Sequence, residues 1–107
     1  MTPDTERNYY DRVRVALQRQ GLLAERLDMP GRVARDIAFG AEPFDSPENR
    51  GRLLWLAREL WEDPYLHVRY IAGFWAAWRP GLPPKGHWHV RADDELEALV
   101  RLIEARP

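Results

Sequence analysis

Residues 22–40, LLAERLDMPGRVARDIAFG, carry two short apolar periods separated by a break. Leu23, Ala24 and Leu27 fall on one helical face, Asp28-Met29-Pro30-Gly31 interrupts the period, and Val33, Ala34 and Ile37 restore it before Gly40 stops it. This pattern predicts two short amphipathic helices joined by a tight turn, a helix-turn-helix arrangement, and the rest of the chain is read outward from it.

Upstream, Thr2-Pro3 offers a cap followed by a proline at the first helical position, with Thr5 an alternative start one turn later. Tyr9 or Tyr10, Val13, Ala16 and Leu17 then form an apolar stripe that ends at Gly21. Downstream, Ser46-Pro47-Glu48 is the clearest helix start in the chain, and Leu53, Leu54, Leu56, Ala57, Leu60 and Trp61 follow it. Asp63-Pro64 repeats the device, and residues 64–78 are expected to form a buried or interfacial helix rich in Tyr70, Ile71, Phe74, Trp75, Ala77 and Trp78. Residues 79–86 hold too many prolines and glycines for regular structure, residues 87–90 suit a brief extended segment, and Asp93 is placed to cap a last helix through Leu96, Leu99, Val100 and Ile103. The expected fold is all-α, with five or six short helices in a single domain over residues 1–107. Residues 1–62 would be a helix-turn-helix-like unit and residues 64–107 an aromatic-rich extension.

Composition narrows the function classes. A chain of 107 residues with 45% hydrophobic and 31% charged content is ordinary for one globular domain. It has no cysteine, so disulfides, thiolate catalysis and cysteine-ligated metals are excluded. No apolar run approaches the roughly 18 residues of a membrane span, and the N-terminus lacks the layout of a secretion signal, so a cytoplasmic location without membrane contact is expected. The three Ser/Thr residues all sit at expected caps and no glycine-rich phosphate loop is present, which argues against an enzyme. His87 and His89 alternate around Trp88, but two histidines with no acidic partner do not make a metal site, and nothing calls for a cofactor. Residues 1–40 carry seven arginines against six acids, and the remainder nine cations against eleven acids, so any basic face must come from arrangement.

Residues 22–60 resemble the Cro/phage-repressor (XRE-like) helix-turn-helix family. Leu23-Ala24-Glu25-Arg26-Leu27-Asp28-Met29 resembles its first helix and turn, Ala34 and Ile37 the inward positions of its second, Gly40 its terminator, and residues 53–60 the following helix. Asp28 stands where the family prefers glycine, and Pro30-Gly31 where it carries a cap and a base-contacting residue. The resemblance implies a small transcriptional regulator that binds double-stranded DNA, with Gly31, Arg32 and Arg35 at the groove and a possible homodimer matching a two-fold operator. The alternative is a non-enzymatic protein-binding module, an accessory subunit, inhibitor or immunity-like protein of bacterial or phage origin. Trp61, Tyr65, Trp75, Trp78 and Trp88 would then carry the affinity.

Overall fold

A computed structural model describes residues 1–40, 42–78 and 90–106, with the Trp78 side chain outside that set. Four helices and three strands follow in the order α1 (Pro3–Arg19), α2 (Met29–Phe39), α3 (Pro47–Leu60), β1 (His67–Ile71), β2 (Phe74–Trp78), β3 (Val90–Ala92) and α4 (Glu95–Glu104). The fold is therefore mixed α and β, and the all-α expectation of five or six helices is corrected at two places.

The first is residues 22–28, which form turns and bends instead of a helix. Gly21 closes α1 in a left-handed conformation with φ of 73°, its N–H donating to the Gln18 carbonyl (3.0 Å) and the Leu22 N–H to the Leu17 carbonyl (2.9 Å). Asp28 then opens α2, its Oδ1 accepting from the Gly31 N–H at 3.0 Å. Between these stop and start signals too little chain remains to repay helix nucleation. Leu22 is buried, Leu23 packs partly on the core, and Leu27 is 76% exposed, so the apparent helical face has no common surface to cover.

The second is residues 64–78, where a β-hairpin replaces the expected helix. Asp63 does not cap a helix: its Oδ1 accepts from the Tyr65 N–H at 3.0 Å and turns the chain after α3. The β-branched and aromatic residues that follow alternate with period two. Ala72 and Gly73, at φ of 50° and 96°, form the two-residue turn that joins β1 to β2 in register Ile71 to Phe74. Since left-handed backbone disfavours a Cβ-bearing residue other than Asn or Asp, Ala72→Asn is expected to raise stability by roughly 0.5–1 kcal/mol. Urea denaturation checks this, and a lowered midpoint would contradict the turn.

The other helices begin close to where their caps predict. Thr2 Oγ1 accepts from Thr5 N–H at 3.2 Å and Ser46 Oγ from Asn49 N–H at 3.1 Å. The last helix is capped by Asp94, one residue beyond Asp93, its Oδ1 accepting from Glu97 N–H at 2.8 Å.

The antiparallel sheet has the order β1-β2-β3. α4 lies at the centre of the described structure, packing against α1 and α3 and touching all three strands. Leu96, Ala98, Leu99, Val100, Leu102 and Ile103 are all buried, so α4 is apolar on several sides rather than on one stripe. A guanidinium clamp secures α1 to it. Arg12 donates from Nη1 and Nη2 to the two Glu97 carboxylate oxygens (2.8 and 2.7 Å), and from Nε and Nη2 to Glu104 (3.2 and 2.6 Å). The loop between α2 and α3 turns back under α1 and inserts Phe44, fully buried, stacked on Tyr9 (centroids 5.5 Å apart) and edge-on to Tyr10 (4.8 Å).

Candidate functional site

The residues expected to meet DNA are used in different ways. Gly31 is buried, and a Cβ on it would lie 2.7 Å from Arg26 Cβ and 2.9 Å from the Arg26 carbonyl. Arg35 is turned back on residues 22–28, donating to the carbonyls of Ala24 and Arg26. The Arg26 carbonyl, left without a helical partner, is thereby met by a side chain from α2, while the Ala24 carbonyl also accepts from the Arg26 N–H at 2.6 Å. Arg26 in turn pairs with Asp28 and is the main cause of that carboxyl lying below its ordinary range, with the Gly31 N–H contributing. Arg32 is exposed on α2.

The expected partner-binding aromatics are also dispersed. Trp61 packs against the core and its indole N–H donates to the Leu102 carbonyl at 2.9 Å, so it joins the end of α3 to α4. Tyr65 is 68% exposed before β1. Trp75 is half-buried on β2 and meets Tyr70 of β1 edge-on, with centroids 5.7 Å apart. Trp78 contributes its backbone to β2 opposite His67, while its side chain, together with Trp88 and the histidines at 87 and 89, lies outside the described residues. Among the described residues no group of three or more His, Asp and Glu side chains could hold a metal, and no helix is long and apolar enough to cross a membrane.

The strand register separates the sheet into two faces. Val68, Ala77 and Val90 stand in one row and pack on the core, with Tyr70, Trp75 and Ala92 in the next row on that side. The other face carries His67, Arg69 and Ile71 from β1, Phe74 and Ala76 from β2, and Arg91 from β3; Ala76 at its centre is fully buried, while Arg69 and Arg91 on the outer strands are exposed. Arg69, Ala76 and Arg91 form one row across the three strands, with both arginines exposed. The Arg91 guanidinium lies over the Phe74 ring, 4.0 Å from its centroid, and Arg101 Nη1 donates to the Arg91 carbonyl, fixing that strand to α4.

None of the residues of the three strands is Asp or Glu. Residues 64–92 contain no Asp or Glu, yet hold Arg69, Arg79, Lys85 and Arg91 and all three histidines. The other residues carry the remaining 12 of 16 cations and all 17 acids. A nearly neutral chain thus concentrates positive charge in the strand-forming segment, an organisation that dividing the charge at residue 40 conceals. The signal was present in the sequence as the acid-free run, but the helical reading of residues 64–78 gave its cations no common face. By contrast, the surface hollow beside Phe39 includes Glu6, Glu42 and Arg14, and the one at the end of α3 includes Arg58, Glu59, Glu62 and Asp63, so each mixes signs.

Comparison of the chain with protein-family models, with curated proteins and with solved structures gives no match. The functional reading therefore stands on this geometry.

Proposed function

We propose that the protein is a non-enzymatic nucleic-acid-binding module that contacts its ligand through Arg69 and Arg91, exposed on the two outer strands of the sheet. The observation that carries this reading is the row Arg69, Ala76, Arg91 within an acid-free segment, in a chain whose acids all lie elsewhere. Phosphate neutralisation supplies most sequence-independent affinity, and a one-sign patch on an otherwise acidic molecule also orients it during encounter. A regulatory role and a cytoplasmic setting go with this reading. It differs from the helix-turn-helix route in placing the contact on β1 and β3 rather than on α2.

The experiment is fluorescence anisotropy of the full chain with labelled oligonucleotides at low and moderate salt. Binding should weaken steeply with salt, and Arg69→Glu combined with Arg91→Glu should reduce affinity at least about tenfold and flatten the slope. Arg32→Glu should change it little. Absence of binding at low salt, or indifference to the sheet substitutions, defeats the proposal, and a dominant effect of Arg32→Glu returns the contact to α2.

A second reading, a protein-binding module, is favoured by the exposure of Tyr65 (68%) and Tyr70 (61%) beside Trp75. Light scattering on the purified chain tests its simplest form, a homodimer.

A further inference from the structure

We propose that α2 carries a self-association surface whose occupant is the α2 of a second copy of this chain, packed antiparallel across a two-fold axis. The exposed residues of α2 are Met29, Arg32, Asp36 and Phe39. Their spacing of three, four and three residues is that of the a and d positions of a heptad. The four side chains therefore stand in one stripe, on the side of the helix away from the buried Gly31, Ala34, Ile37 and Ala38. A large apolar side chain closes each end of the stripe, Met29 at 58% and Phe39 at 64% exposure, and a cation and an acid lie between them.

This stripe is complementary to itself in one orientation. When two copies of α2 run antiparallel about an axis level with Ala34, Met29 of one faces Phe39 of the other and Arg32 faces Asp36, each pair occurring twice. A parallel pair would instead set Arg32 against Arg32 and Asp36 against Asp36. Within one chain the two charges are poorly used. Neither makes an ion pair among the described residues. They are also ordered against the helix dipole, the cation nearer its positive end and the acid nearer its negative end. An antiparallel partner reverses this, bringing each charge beside the opposite pole of the other helix. The Arg14 guanidinium over the Phe39 ring, 5.3 Å from its centroid, holds that end of the stripe in place. Beside Phe39 lies the hollow of about 490 Å³ lined also by Tyr10 and Pro43, where a flexible thioether from the other copy's Met29 has room to pack.

With 11 residues α2 is about 16 Å long, so the contact belongs to the small, transient class and should grow with concentration. Sedimentation equilibrium of the full chain from about 10 μM to about 1 mM should show monomer and dimer in exchange. Arg32→Glu and Asp36→Arg should each weaken self-association at least about tenfold, because each sets like charges opposite one another twice per dimer. Both substitutions suit the dipole of α2, and circular dichroism establishes that each variant is folded, so the loss is not a loss of helix. The two single variants mixed in equal amounts should associate with each other, since every facing pair is then of opposite sign. The double exchange, Arg32→Glu with Asp36→Arg, should restore self-association for the same reason. Phe39→Ala should weaken it about tenfold.

A monomer throughout that range, or self-association indifferent to Arg32→Glu, would overturn the proposal. Mixed single variants that stay monomeric, or a double exchange that fails to restore the dimer, would overturn the antiparallel register on which it rests. A dimer kept in Arg32→Glu but lost in Tyr70→Ala would move the contact to the exposed tyrosines. None of these outcomes depends on nucleic-acid binding, which the sheet arginines test separately.

Discussion

Phe44→Ala is expected to lower the free energy of unfolding by about 3–5 kcal/mol, enough to consume much of the stability of a small domain. Phe44 lies in the connection between α2 and α3 and has no exposed surface. Its ring fills the space between Tyr9 and Tyr10 on α1. The backbone around it is held independently, by Tyr10 Oη donating to the Glu42 carbonyl (2.9 Å) and by the buried Asn49 side chain donating to the Pro43 carbonyl (3.2 Å). With the loop pinned on both sides, the walls cannot collapse fully onto the vacated volume, which places the cost toward the upper part of the range. Phe39, 64% exposed and touched by Arg14, is the control, with Phe39→Ala costing at most about 1 kcal/mol. Urea denaturation separates the two; a cost for Phe44→Ala near that of Phe39→Ala would mean that the loop does not hold its ring in the core.

The second large effect is expected at the Arg12 clamp. Arg12→Met keeps much of the aliphatic stem but removes every bond to Glu97 and Glu104, and is expected to cost about 1–2 kcal/mol at neutral pH, discounted for partial exposure of the group. The guanidinium holds the Glu97 carboxyl below its ordinary 4.5, partly opposed by burial, and Glu97 in return raises the Arg12 pKa further. A carboxyl depressed in the folded state contributes stability that is present above its unfolded pKa and is lost as pH falls through the folded value. Stability of the parent chain should therefore decline below about pH 4.5, and Arg12→Met should flatten that decline, as measured by urea midpoints from pH 7 to pH 3. An unchanged acid limb would show that Glu97 gains nothing from Arg12 in the folded state.

What the sequence discloses here depends on whether a signal is local. Thr2-Pro3 and Ser46-Pro47 announce their helices because cap and first turn are adjacent in the chain, and Gly21 announces a stop for the same reason. Asp63-Pro64 uses the same residues for a different purpose. There Asp63 serves a turn, and the decisive information lies in the Ala72-Gly73 pair and in the alternation of Val68 and Tyr70 with their cross-strand partners Ala77 and Trp75. Residues 22–28 mislead because Leu23, Ala24 and Leu27 have helical spacing, while the carbonyls of Ala24 and Arg26 are met by Arg35. The candidate site suffered from the second misreading. Arg69 and Arg91 are far apart in sequence, and only strand pairing through Ala76 puts them in one row.

The position of α4 also bears on the order in which the fold can assemble. The central helix follows in sequence every element it touches, and its contacts with α1 close a span of 92 residues between Arg12 and Glu104. Closing such long loops must precede their reward, so the transition state is expected to form slowly for a chain this helical. The three earlier helices meet one another without α4, α1 with α2 and α2 with α3, so what waits for that late docking is their union with the hairpin.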